Sequence, residues 1–264
     1  MMKLTVLGGS AACPNPGQGS SAYLVEVDGK NILLDCGPNT LLELRKHAEL
    51  DRVHQIVLSH LHADHTIDLV PFRYGLKYAP GLDPHRIPLY LPPGGLAFLE
   101  RLANAFAMGA EGADDFFTET FDVREYDPAS ALSLSGCRVT FHRTNHPVPC
   151  WAMRLESPHG TLVYLADTGP QADLSHFARD ADLLICEGTF PRYEEVAGIE
   201  DRPHISAFEA GEIARHAGVR SLVLTHLWAA VGFDVYQEEA ERGFHGPVTL
   251  ATPGLSVNIG SNGE

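Results

Sequence analysis

Lysine is scarce in this chain of 264 residues: only four occur, so 19 basic side chains face 34 acidic ones and the formal net charge is −15. A surface that acidic repels phosphate backbones and anionic lipid, which disfavours long nucleic acid and membranes as partners. No run of about 18 apolar residues exists, so no transmembrane helix is expected. The opening MMKLTVLGG lacks the apolar core of a secretory signal and reads as a first strand. Five cysteines (Cys13, Cys36, Cys137, Cys150 and Cys186) are scattered without a CxxC pair. That usage argues against a disulfide framework and predicts reduced thiols in a cytoplasmic protein. Gly8, Gly9 and Gly17 read as a glycine-rich turn, but no GxxxxGK[ST] follows, so a nucleoside triphosphate loop is not supported. With 44% hydrophobic and 20% charged residues, the composition is that of a folded domain able to bury a full core.

What is present is a regular succession of elements. KLTVLG, SAYLVEV and KNILLDCG read as strands, the last two joined by an Asp28-Gly29 hairpin turn. Helical spacing runs from Leu41 to Leu50, then a strand QIVLS, then a helix from Thr66 to Tyr78 that Pro71 should kink or shorten. A strand at Ile87 to Leu91 and a helix at Gly95 to Ala107 follow, then an aperiodic stretch from Met108 to Thr120 that reads as a loop or lid. Strands are expected again at 137–143, 150–156, 161–166 and 183–186, a helix at 207–217, a strand at 221–225, a helix near 236–242 and a closing strand near 248–251. No composition break divides the halves. The order implies two sheets flanked by helices, built as one domain over residues 1–264.

The densest chemistry lies in Ser59-His60-Leu61-His62-Ala63-Asp64-His65, directly after QIVLS. In an extended loop His60 and His62 point the same way, and a following helical turn brings Asp64 and His65 round beside them. Imidazole and carboxylate ligands in that mix suit zinc, with manganese or iron as alternatives.

HLHADH resembles the HxHxDH motif of the metallo-β-lactamase superfamily, and the likeness extends along almost the whole chain. It implies an α/β (α+β) fold, a four-layer αββα sandwich. It also gives meaning to Asn145-His146-Pro147, to Tyr164-Leu165-Ala166-Asp167-Thr168-Gly169 and to Leu224-Thr225-His226-Leu227, each ending or following a strand. Carried over by motif, His60, His62 and His146 would bind one metal, Asp64, His65 and His226 a second, and Asp167 would bridge them. Two divalent ions, zinc first, would then hold a hydroxide as nucleophile. The last third is similar to the ribonuclease Z branch: LLICEGTF followed by Pro203-His204-Ile205-Ser206-Ala207 implies that Glu187 charges and orients His204, a proton donor to a leaving oxygen. The resemblance thus implies Asp64, Glu187 and His204 as catalytic positions. It departs at the arm with which processing ribonucleases of that branch clamp transfer RNA. Only 20 residues separate His146 from Asp167, and two strands use most of them.

The expectation is a dinuclear metal-dependent hydrolase, a phosphodiesterase on a small substrate such as a cyclic nucleotide. Open alternatives are a ribonuclease Z-type endoribonuclease, a lactonase or other ester hydrolase, and a non-catalytic metal-binding or assembly protein of the same fold. A homodimer is expected from the resemblance alone. Arg73, Phe116, Phe117 and Trp228 are candidate substrate contacts, weighed against a solvated helix face for Arg73 and Lys77 and core packing for Trp228. His47, His54, His85, His142, His159, His176, His216 and His245 match no motif and read as structural or surface residues.

Overall fold

The computed structural model describes residues 1–83, 85–108, 112–171, 173–192 and 202–260. The chain runs β1 (Met2–Ser10), β2 (Gly19–Ser20), β3 (Ala22–Val27), β4 (Lys30–Leu34), α1 (Thr40–Leu44), β5 (Val53–Val57), α2 (Ala63–Thr66), α3 (Leu69–Tyr78), β6 (Ile87–Leu91), α4 (Gly95–Phe106) and β7 (Phe121–Glu125). It continues through β8 (Leu132–Leu134), β9 (Cys137–Arg143), β10 (Trp151–Ser157), β11 (Gly160–Tyr164), α5 (Leu174–Phe177), β12 (Leu183–Glu187), α6 (Ala207–Ala217), β13 (Leu222–Thr225), α7 (Phe233–Gly243), β14 (Val248–Leu250) and β15 (Ser256–Ile259).

Two sheets result. One has the order β15-β1-β3-β4-β5-β6-β7 with β2 beside β1, the other β14-β13-β12-β11-β10-β9-β8. Alternate residues of each strand serve opposite faces. Val6, Val25, Leu34 and Val57 of the first sheet meet Met153, Tyr164, Ile185 and Val223 of the second in a shared inner core. Their outward neighbours Leu33 and Ile56 pack with Leu44, Phe72 and Leu99 of α1, α3 and α4. On the far side Leu184 and Leu224 pack with Ala210 and Ala214 of α6 and Tyr236 of α7. Strands buried on both faces must be apolar throughout, which is why LVLT and LLIC read as unbroken runs. The layers are α, β, β, α.

Parallel pairing places one edge of each sheet at the service of the loops. Leu34 of β4 is level with Val57 of β5, and Glu187 of β12 is level with Thr225 of β13. The residues just past these strand ends therefore lie together, as ligand-bearing loops do at the carboxyl ends of parallel strands.

Several elements differ from expectation. The helix foreseen over 66–78 is two helices broken at Ile67 and Asp68, the cut expected of Pro71, which has no N–H for the Ile67 carbonyl four residues back. Pro71 occupies the first turn of α3, where no intrahelical N–H is needed; the first helical bond is Phe72 N–H to Asp68 O. The helix expected over 41–50 stops at Leu44, where Lys46 and His47 tighten into bonds to the third residue back. Gly8 and Gly9 lie inside β1 rather than in a turn: a Cβ at Gly8 would sit 2.1 Å from the Ser20 carbonyl oxygen of the neighbouring backbone. β15, unforeseen, pairs antiparallel with β1 (Met2 opposite Ile259) and carries the chain end back to the first sheet. Cys36, Cys137, Cys150 and Cys186 are buried, Cys13 is exposed, and all five are free. No described helix is long and apolar enough to cross a membrane.

Candidate active site

The first sheet contributes a compact set. After β5 the chain is extended through His60 and His62, and α2 then turns Asp64 and His65 back towards them. Gly37 permits this return, because a Cβ there would lie 2.0 Å from the Asp64 carbonyl oxygen. His62 Nδ1 sits 3.1 Å from His60 Nε2. The buried Asp35, just past β4, organises the group. Its carboxylate accepts hydrogen bonds from Ser59 N–H and Ser59 Oγ, each at 2.7 Å, and lies 2.7 Å from His65 Nδ1.

The second sheet contributes side chains one loop at a time. His146 follows β9, Asp167 follows β11, Glu187 ends β12, His204 precedes α6 and His226 follows β13. His146 Nε2 lies 3.1 Å from His62 Nδ1. Asp167 Oδ2 is 3.7 Å from His60 Nε2 and 3.5 Å from His226 Nε2, while its Oδ1 is 3.3 Å from His65 Nε2. Asp64 Oδ2 is 3.3 Å from His226 Nε2 and 3.5 Å from His65 Nε2. Two ligand sets therefore form, His60-His62-His146-Asp167 and Asp64-His65-Asp167-His226, each with its ligand atoms within 4.8 Å of one another and Asp167 common to both. A third grouping, Glu187-His204-His226, adjoins them.

The outer partners of the histidines assign their protons. Ser59 Oγ, already donating to Asp35, faces His60 Nδ1 at 3.0 Å. Asp35 takes His65 Nδ1–H, the Pro203 carbonyl faces His146 Nδ1 at 3.1 Å, and Thr189 Oγ1, donating to Glu187, faces His226 Nδ1 at 2.7 Å. All four rings thus hold Nδ1–H outward and turn Nε2 inward, the orientation that outer hydrogen-bond partners impose on metal-binding histidines. His62 Nδ1 carries one proton at most and cannot serve both His60 Nε2 and His146 Nε2, each at 3.1 Å. His65 Nε2 is buried and, among the described residues, makes no hydrogen bond of good geometry. Converging lone pairs beside two carboxylates are what a divalent cation satisfies, so the donor set fits a metal.

Electrostatics divide the ligands: burial opposes the charge of His65, but Asp167 and Asp35 outweigh it and raise its pKa well above the histidine range, so a cation there displaces a proton from Nε2. Burial holds His60, His62 and His146 below the ordinary histidine range, the neutral form a ligand requires. Asp64 and Asp167 are held well below the carboxylate range: burial opposes their charge, but the surrounding histidines outweigh it. His204 is the opposite case. Burial works against its charge, but Glu187, 3.0 Å from Nδ1, raises its pKa to about 9. Glu187 also accepts the Thr168 N–H at 2.6 Å. The His204 ring lies 5.1 Å from that of His226 and 5.3 Å from that of His146.

Three candidates do not join the site. Arg73 is neither a substrate contact nor on a solvated face: it is buried, donates from Nε to the Phe116 carbonyl and pairs with Glu119 at 3.1 Å. Phe116 and Phe117 turn into the outer core under α3 and α4, where Phe117 lines a hollow beside Leu99 and Ala103, and neither belongs to the ligand clusters. Residues 109–111 of that expected loop or lid lie outside the described residues. Trp228, two residues past His226, is half-buried. Lys77 pairs with Glu119. Asp35 went unnoticed in the sequence; an aspartate closing the apolar strand ILLD was its only signal.

A family model described as "Beta-lactamase superfamily domain" matches residues 30–227. The probable metallo-hydrolase YhfI of Bacillus subtilis is 32% identical over 96% of this chain and 98% of its own length. The chain belongs to the metallo-β-lactamase superfamily. Within this superfamily of metallo-hydrolases, the crystal structure of YhfI superposes with a TM-score of 0.85 at 29% identity, covering 97% of this chain and 98% of that one. A ribonuclease Z of Myxococcus xanthus is 27% identical over 98% of both chains. That match spans 304 residues although this chain has 264, so stretches of the ribonuclease have no counterpart here. A diphosphatase of the PhnP family shares the fold, with a TM-score of 0.73 at 20% identity and 97% coverage of each chain.

Proposed function

We propose that this protein is a dinuclear metal-dependent phosphodiesterase acting on a small substrate such as a cyclic nucleotide. The observation that carries the reading is Asp167, whose carboxylate faces both ligand sets, with Glu187–His204 beside them. His60, His62, His146 and Asp167 would hold one divalent ion, and Asp64, His65, His226 and the same Asp167 the other, with zinc suited to these nitrogen and oxygen donors. Bound there, the ions supply Lewis acidity and acidify a water towards neutral pH.

The chain's own residues do the remainder. Asp35 and Thr189 hold His65 and His226 in one tautomer and orientation. Asp64, kept ionised by His226 and His65, serves as ligand and catalytic carboxylate. Glu187 holds His204 by Nδ1 and keeps it charged, leaving Nε2–H to donate. A water oxygen adds to phosphorus and its proton passes to solvent, the ester P–O bond breaks, and the leaving oxygen takes the Nε2 proton of His204. The names ribonuclease and diphosphatase among the relatives both denote reaction at phosphorus.

Small size is supported by the hairpin between β10 and β11. Ser157 pairs with Gly160 across a two-residue turn, leaving no arm between His146 and Asp167. The charge of −15 points the same way: a long polyanion must lie across the acidic surface, whereas a small one has only to reach the site. The test is a screen of the metal-loaded protein on cyclic nucleotides, RNA with 3′ trailers and lactones. Cyclic nucleotide hydrolysis is expected. Faster cleavage of the RNA would replace this reading with the ribonuclease, lactone hydrolysis alone with the esterase, and inactivity on every substrate with a binding protein.

A further inference from the structure

The strands that deliver Asp35 and Ser59 to the active site begin, at their other ends, beside a hollow of about 410 Å³ lined by Glu26, Lys30, Asn31, His47, Arg52 and His54 among others. Lys30 opens β4 and Arg52 immediately precedes β5. The floor is built by Asn31, whose Nδ2 donates to the Arg52 carbonyl at 3.1 Å and whose N–H donates to His54 Nδ1 at 3.1 Å. The lining carboxylate is engaged elsewhere: Glu26 is 3.3 Å from Lys3. His47 Nε2 is likewise taken, 3.1 Å from Glu43. Among the described residues neither Lys30 nor Arg52 forms an ion pair. The field is felt by His54, held below its ordinary range first by burial and then by the charge of Lys30. In a chain of net charge −15, two cations lining one hollow over a preformed floor stand out.

We propose that this hollow binds a phosphate dianion, either free inorganic phosphate or the phosphoryl end of a phosphomonoester. The Arg52 guanidinium offers a planar fork for two phosphate oxygens and the Lys30 ammonium a compact charge for a third. At about 3.3 Å per residue, β4 separates the hollow from Asp35 by roughly 16 Å. The hollow is therefore distinct from the metal-ligand cluster, and its occupancy does not depend on what the active site hydrolyses.

Inorganic phosphate is titrated into the metal-loaded protein while backbone amide resonances are followed, so that each site reports separately. Saturable shifts are expected at residues 29–31 and 52–54. In the Lys30→Gln/Arg52→Gln variant these should need about tenfold more phosphate, while shifts near His60 and His226 and the hydrolytic rate stay as in the parent. Both side chains are exposed, and the variant's own spectrum verifies its fold. Methyl phosphate, titrated in parallel, distinguishes the sources: matching saturation identifies a phosphoryl group as the ligand, and response to inorganic phosphate alone identifies the free anion. Absence of saturable shifts at these amides, or identical curves in the double variant, overturns the proposal.

Discussion

In the first sheet, four ligand-type side chains come from the six residues His60 to His65; in the second, His146, Asp167, Glu187 and His226 come from the ends of four different strands. The compact set is positioned by local geometry, one extended loop entering one short helix. The dispersed set is positioned by strand register, because each side chain stands where its strand stops. Two buried cross-sheet contacts join the sets: Tyr164 donates to Asp35 at 2.7 Å, and the Tyr23 and Thr225 hydroxyls lie 2.6 Å apart. The junctions also carry backbone strain. Asp35, Ala166 and His226 adopt left-handed conformations, with φ of 58°, 54° and 61°. Such conformations cost about 1–3 kcal/mol each and persist where surrounding contacts over-determine them.

The largest effect should come from the residue both sets share. Asp167→Ala is expected to lower metal content at both sites and to reduce hydrolysis by on the order of a thousandfold or more; one full metal equivalent retained per chain, measured by elemental analysis, would refute the sharing. Next is His204→Ala, expected to lower kcat by about 10²–10⁴-fold with metal content intact. Parent-level activity on every substrate cleaved would remove His204 from the chemistry.

Smaller changes sharpen the contrast between the halves. His62→Ala, in the compact set, should deplete the site of His60 and His146 and spare that of His65 and His226; unchanged metal content would sink the ligand assignment. Asp35→Asn touches no proposed metal position directly, yet it should weaken metal affinity by about 10–100-fold through His65, as read by competition with a chelator. Tyr164→Phe removes one donor from the buried Asp35 and should cost about 1–3 kcal/mol in chemical denaturation. An unaltered denaturation midpoint would mean that the sheets are not coupled at this point.

The compact set was legible because density is itself a signal: four ligand-type residues in six leave little room for a merely polar loop. His146, Asp167 and His226 became legible only through their order after apolar strands and their likeness to a family. Asp35 was not legible, since the hydroxyl and ring that hold it come from Tyr164 and His65, far away in sequence. Arg73, Phe116 and Phe117 misled for the related reason that a polar-flanked stretch can still turn inward when a neighbouring helix offers an apolar face. β15, four residues with serine and asparagine among them, has too little pattern to be read without its partner β1.

By itself, then, the sequence determined the layers, through strands apolar on both faces, and the chemical kind of the site, through imidazoles and carboxylates clustered after QIVLS. Tertiary structure decided which ring nitrogens face inward, which carboxylate is shared and which aromatic residues are spent on the core. Those outcomes rest mostly on distances of a few ångströms between residues from about thirty to more than a hundred and sixty positions apart, which sheet register and the packing of one sheet on the other set.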